Sequence, residues 1–190
     1  MADPIDKERA AKDKERADKE PPDKAPAGNT PMSTAAAEKP RVALGADHAG
    51  FAVKDAIKKH LQSQGYEVDD VGTWSATPVD YPDFAVQVAN RVAEGHNDLG
   101  ILTCATGIGM SIAANKVGGI RAALAHDPDT ARLARQHNDA NVLTLGTHGT
   151  TGEQAVAIVD SFLSAKFEGG RHQRRIAKMT ELDQERKYNG

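Results

Sequence analysis

Cys104 is the only cysteine among the 190 residues. It stands where an apolar run, Gly100 to Thr103, gives way to Ala105-Thr106-Gly107-Ile108-Gly109 and then, from Ser111, to a helical stretch of small residues. A buried strand that passes through a glycine-bearing turn into a helix points several backbone N–H groups and the positive helix end at one place, which suits an anion. A thiol at a helix start also has its thiolate favoured, which makes Cys104 a candidate base or nucleophile. The same residue reads equally as a small buried hydrophobe, the ordinary fate of a free cysteine. Other chemistry-bearing residues recur at the ends of apolar segments: Asp47-His48, His126, His137-Asn138 and Thr147-His148. Arg171 and Arg175 lie one helical turn apart near the C-terminus. Taken alone, Asp47 reads as a helix cap, His137 as a helix-end histidine facing the dipole, and the arginines as a solvated basic face.

Several phosphate signatures nearly fit and fail. Gly45 and Gly50 have the interval of a Walker loop, but Phe51 stands where its lysine must be. Gly107-Ile108-Gly109 lacks the third glycine of a dinucleotide fingerprint, because Ile112 occupies that place. Met110 stands where a cysteine phosphatase loop carries arginine. No pair of His or Cys has metal-ligand spacing, so neither a metal nor another cofactor is expected. What survives is a thiol beside an anion-stabilising turn, with hydroxyls and histidines nearby.

These residues need a scaffold, and the composition supplies one. The length is enough for one α/β domain with a proper core. The low aromatic content of 4 %, with plentiful Ala, Val, Ile and Gly, suits close packing of helices on a sheet. A net charge of −3 gives no basic field for nucleic acid or an anionic membrane, and no apolar run approaches the roughly 18 residues that span a bilayer. A functional thiol without disulfides, and an N-terminus with neither a signal-peptide core nor transit-peptide character, predict a cytoplasmic protein.

Residues 1–39 are mostly Lys, Asp, Glu, Ala and Pro without an aromatic residue, and Asp6-Lys7-Glu8-Arg9-Ala10 returns as Asp13-Lys14-Glu15-Arg16-Ala17. Too little apolar area is present to offset the entropy of ordering such a segment, so a charged, disordered tail is expected ahead of a domain at residues 40–190. Strands are predicted at Val42–Ala46, Tyr66–Val71, Asp98–Thr103, Ile120–Ala125 and Asn141–Leu145, alternating with amphipathic helices. Asp127-Pro128 starts one helix with a cap and a first-turn proline. The last, Arg171 to Tyr188, has only Ile176, Met179 and Leu182 as apolar positions, a stripe better explained by docking on a second subunit. The pattern specifies a three-layer α/β/α, Rossmann-like domain with a five-stranded parallel sheet. Ligands of such sheets bind beyond the carboxyl ends of the strands, which places Asp47, His48, Cys104 to Gly109, and His126 or Thr147 and His148 on one rim.

Read together, Asp47-His48, Gly72-Thr73-Trp74, Asp80-Tyr81-Pro82, the Cys104 to Asn115 turn, Arg135-Gln136-His137-Asn138-Asp139 and Glu168-Gly169-Gly170-Arg171-His172 closely resemble the type B ribose-5-phosphate isomerase family. The resemblance covers about residues 41 to 187. The wider family includes galactose-6-phosphate and allose-6-phosphate isomerases. The resemblance implies metal-independent interconversion of ribose 5-phosphate and ribulose 5-phosphate in the pentose phosphate pathway. It also implies a homodimer, or a dimer of dimers, whose active sites lie between subunits and which the last helix helps to join.

By resemblance Cys104 is the proton acceptor and the N–H groups of Ala105, Thr106, Gly107, Ile108 and Gly109 stabilise an enediolate. The Thr106 hydroxyl moves a proton between the two substrate oxygens, and His137 is the ring-opening acid. Asp47, His48 and Asn138 contact the sugar, and Arg171 and Arg175 bind phosphate, offered to the neighbouring subunit. His148 stands where the ribose enzymes usually carry arginine, a shorter and only partly charged group that weakens or alters that contact. A six-carbon sugar phosphate isomerase and a noncatalytic phosphosugar-binding module are the alternative functions.

Overall fold

The computed structural model describes residues 39–188. The expected tail at residues 1–39 lies outside the described residues except for Lys39, whose ammonium sits 4.7 Å from the centre of the Tyr66 ring and so joins the domain. Five strands form one parallel sheet in the order β2-β1-β3-β5-β4. They are β1 Val42–Ala46, β2 Val68–Asp70, β3 Leu99–Cys104, β4 Ala122–Ala125 and β5 Val142–Gly146. Six helices connect or follow them: α1 Phe51–Ser63, α2 Tyr81–Ala93, α3 Ile108–Ala114, α4 Pro128–Asn138, α5 Gly152–Ser164 and α6 Arg171–Tyr188.

Side chains alternate across a strand, and here each face has its own core. Val42, Leu44, Ile101, Leu143 and Leu145 face α1, α4 and α5 through Ile57, Leu61, Ala131, Ile158 and Phe162. Ala43, Leu102 and Val142 face α2 and α3 through Val88, Ala89, Met110 and Ala114. The three-layer expectation therefore holds. Asp127 caps α4 by accepting the Thr130 N–H at 2.7 Å, and the cap and proline are as read from the sequence.

Three elements start two or three residues from the sequence reading, while β3 and β5 shift by one residue. β2 is limited to Val68–Asp70 at the sheet edge, where it pairs on one side only. In β4 pairing begins at Ala122 rather than Ile120. Helix α3 starts at Ile108 rather than Ser111, because Gly107 takes a left-handed conformation (φ 74°) that lets the helix begin directly after the turn. The last helix has the predicted extent, and its apolar stripe is only partly satisfied. Ile176 is buried while Met179 and Leu182 are exposed.

Candidate active site

The rim beyond the carboxyl ends of β1, β3 and β5 gathers most of the expected residues. Cys104, the last residue of β3, is 4 % exposed, and its Sγ accepts the Gly107 N–H at 3.1 Å. The Thr106 hydroxyl accepts the Ile108 N–H at 3.3 Å. Two of the expected anion donors are thus engaged inside the turn. Among the described residues the Ala105, Thr106, Gly109 and Met110 N–H groups have no backbone acceptor outside the helix, which leaves them available to a ligand. Gly107 allows no other residue here, since a Cβ would lie 2.5 Å from the Leu124 side chain and 2.8 Å from the Leu145 carbonyl carbon.

Neighbouring turns press on this one. The Thr147 N–H donates to the Cys104 carbonyl at 2.9 Å and the His148 N–H to the Ala105 carbonyl at 2.9 Å, which ties the two turns together, and the Thr147 hydroxyl donates to Ala49 O at 3.3 Å. Asp47 is buried. Its N–H donates to Thr103 O at 3.3 Å, and its Oδ1 accepts the Gly50 N–H at 2.8 Å. Asp47 thus closes the turn that precedes α1 rather than capping the helix, whose N-cap is Gly50 without a side-chain cap bond, and Oδ2 remains for a ligand. His48 is exposed, and its Nδ1 accepts the Val79 N–H at 3.3 Å. A ring nitrogen that accepts carries no proton, so the neutral imidazole presents an Nε2–H donor. Tyr81 completes the wall: a Cβ on Gly109 would lie 2.7 Å from its ring. In the sequence Tyr81 stands in the motif Asp80-Tyr81-Pro82 without an assigned role in the site. The aromatic residue beside a motif proline was the available signal.

His137, Asn138, Arg171 and Arg175 are not on this rim within one chain. Helix α4 runs back from the carboxyl end of β4, so its last turn lies at the opposite edge of the sheet. There the Arg121 Nε–H, just ahead of β4, donates to Asn138 O at 3.1 Å and Asp139 O at 2.9 Å. A five-residue strand such as β5 separates the two edges by about 16 Å. Around His137 a second cluster forms. Its ring stacks on His172, with centroids 4.3 Å apart and planes within 7°. Glu168 Oε2 lies 3.8 Å from His137 Nε2 and 3.9 Å from His172 Nε2, and the Arg171 Nε–H donates to His172 Nε2 at 3.3 Å. Burial pushes the His172 imidazole below its ordinary range, and His137, Arg171 and Arg175 push the same way. His172 is therefore a neutral acceptor at neutral pH. Arg171 and Arg175 are both exposed, one turn apart, with fixed charge available to an oxyanion.

The chain thus holds two separate clusters of candidate site residues. One has a thiol, free amides and hydroxyls; the other has two stacked imidazoles and two arginines. Exposed Ile108 and Ile112 on α3, with Tyr81 beside them, form an apolar face next to the first. Among the described residues no helix is long and apolar enough to cross a membrane.

Known proteins share this arrangement of elements. Ribose-5-phosphate isomerase B of Escherichia coli (strain K12) is 51 % identical over 146 residues, which are 77 % of this chain and 98 % of that protein. The structure of a ribose 5-phosphate isomerase from Thermotoga maritima, 51 % identical, matches with a TM-score of 0.73 over 75 % of this chain and 98 % of its own. That of ribose-5-phosphate isomerase B from Mycoplasma genitalium with bound ribulose-5-phosphate, 46 % identical, gives 0.74 over 76 % and 97 %. The family model described as Ribose/Galactose Isomerase matches residues 42–179, a span that takes in both clusters, and the chain belongs to that family.

Proposed function

We propose that the protein is an aldose–ketose isomerase that interconverts D-ribose 5-phosphate and D-ribulose 5-phosphate, with each active site assembled from two copies of the chain. The observation that carries the reading is the Cys104 thiol at the head of β3, with Gly107 N–H on its sulfur and unclaimed amides beside it. Isomerisation needs a base that takes the proton from C2 of the aldose and returns it to C1, with donors for the enediolate oxygen that forms between. Cys104 is that base. Gly109 and Met110 supply the donors, and Thr106 moves the proton between O1 and O2. Asp47 and the His48 Nε2–H hold sugar hydroxyls.

The second copy supplies the other half. His137, with Asn138 beside it, protonates the ring oxygen to open the sugar, and Arg171 and Arg175 take the phosphate. The topology supports a two-chain site because no single chain brings Cys104 and His137 to one rim, and the apolar face on α3 gives the partner a surface to cover. A working thiol also calls for a reducing compartment, which keeps the proposal in the cytoplasm.

The test is turnover of ribose 5-phosphate, allose 6-phosphate and galactose 6-phosphate by the full chain. We expect kcat/KM for the pentose to exceed the others by about tenfold or more. The reverse order would assign a six-carbon substrate, a reading that the shorter His148 favours by leaving room. No turnover of any of them by a folded protein would leave only a binding module. Arg171→Ala is expected to raise KM for ribose 5-phosphate about tenfold with kcat nearly kept, as for loss of binding shared by ground and transition states. An unchanged KM would remove that arginine from the phosphate site.

A further inference from the structure

Lys54 is 2 % exposed, in a helix whose neighbouring buried positions are Ile57 and Leu61. A buried ammonium must be paired, which points to its partner. Its ammonium meets Oδ1 of Asp70 at the end of β2. Lys58, one turn on, donates to Oδ2 at 2.9 Å. Oδ1 also accepts the Gly72 N–H at 3.0 Å. Burial pushes the Asp70 carboxyl up, and the hydrogen bonds from Lys54, Lys58 and Gly72 outweigh it, leaving the group below the usual carboxylate range.

Gly72 opens the loop that ends at Asp80. Just past Asp70 the loop is stitched to β1, Ala46 N–H donating to Gly72 O at 2.7 Å and Thr73 N–H to Ala46 O at 2.8 Å. At its far end it grips the site twice, through Val79 N–H on His48 Nδ1 and the Tyr81 ring on Gly109. Between Trp74 and Pro78 the only hydrogen bond among the described residues is internal, from Thr77 N–H to Ser75 Oγ. The two grips therefore depend on how the loop leaves Asp70.

We infer that Asp70 is a positioning residue of the isomerase: its Oδ1 fixes the Gly72 N–H and thereby the loop that orients His48 and walls the site with Tyr81. The inference rests on the isomerase reading for its kinetic readout alone. Trp74, the only tryptophan in the chain, is on this loop and 68 % exposed, so its fluorescence anisotropy reports loop mobility without substrate.

The comparison uses the full chain with Lys54→Met throughout, which removes the buried charge. Lys54→Met alone and Lys54→Met/Asp70→Asn both keep an oxygen for Gly72, and both are expected to retain parental anisotropy and kcat/KM for ribose 5-phosphate within about twofold. Lys54→Met/Asp70→Leu loses that oxygen. It is expected to show lower Trp74 anisotropy and about a tenfold fall in kcat/KM, with Tm within about 4 °C of the Asn variant. Should the Leu variant not fold, Asp70→Ala in the same background removes the acceptor with less bulk. Equal anisotropy and activity in the Asn and Leu (or Ala) variants would overturn the inference, as would activity that follows Tm instead of the Gly72 acceptor. If the parent turned over no ribose 5-phosphate, the isomerase reading would fall while the anisotropy comparison still decided what anchors the loop.

Discussion

Cys104→Ala is expected to lower kcat for ribose 5-phosphate by about 10³-fold while leaving fold and affinity nearly as they are, because it removes the one group placed to carry the proton between C1 and C2. The side chain is small and its sulfur has a single close donor, Gly107 N–H at 3.1 Å, so truncation costs about 1 kcal/mol of stability and no more than local relaxation. The phosphate and hydroxyl contacts lie on other residues. KM or a binding constant should therefore change only a few-fold, the pattern of an interaction made chiefly in the transition state. Exchange in D₂O makes the assignment specific. The parent is expected to incorporate deuterium into the sugar during turnover, and the variant none. A variant that turned over within tenfold of the parent, or that still exchanged solvent deuterium, would show that another base acts.

How much of this site the sequence reveals depends on the range of the interaction involved. The turn at Cys104 is legible because strand, glycine turn and helix follow one another directly, and Thr147 and His148 are placed by the rule that strand ends share a rim. The start of α3 is not legible, because Ile108 is an ordinary residue until Gly107 is seen to be left-handed. Tyr81 escapes for a different reason. Its contact with Gly109 spans 28 positions and has no local signature. Lys54 left a trace, standing on the same helix face as Ile57 and Leu61, where a charged residue breaks the apolar stripe. His137 matches a family motif, yet a residue at the C-terminal end of a helix in a parallel α/β fold belongs to the rim opposite the strand ends. Only the built topology turns that rule into a separation of two half-sites.

That separation has a direct consequence. Cys104→Ala and His137→Asn are each expected to be nearly inactive alone and to recover activity when the two chains are paired. If His137 serves the Cys104 of its partner, a dimer with one chain of each kind has one site with both lesions and one with neither. Random pairing makes half of the dimers mixed, so about a quarter of the parental activity returns. Pairing by co-expression with two affinity tags, followed by isolation of doubly tagged dimers, raises the expectation to about half. Neither value arises if both residues work within one chain, because every site in the mixture then carries a lesion. Recovery would also fail if ring opening fell to a group other than His137, and that case separates itself, since His137→Asn alone would remain active. The mixed dimer therefore tests the partner's contribution apart from the chemistry, which Cys104→Ala tests by itself.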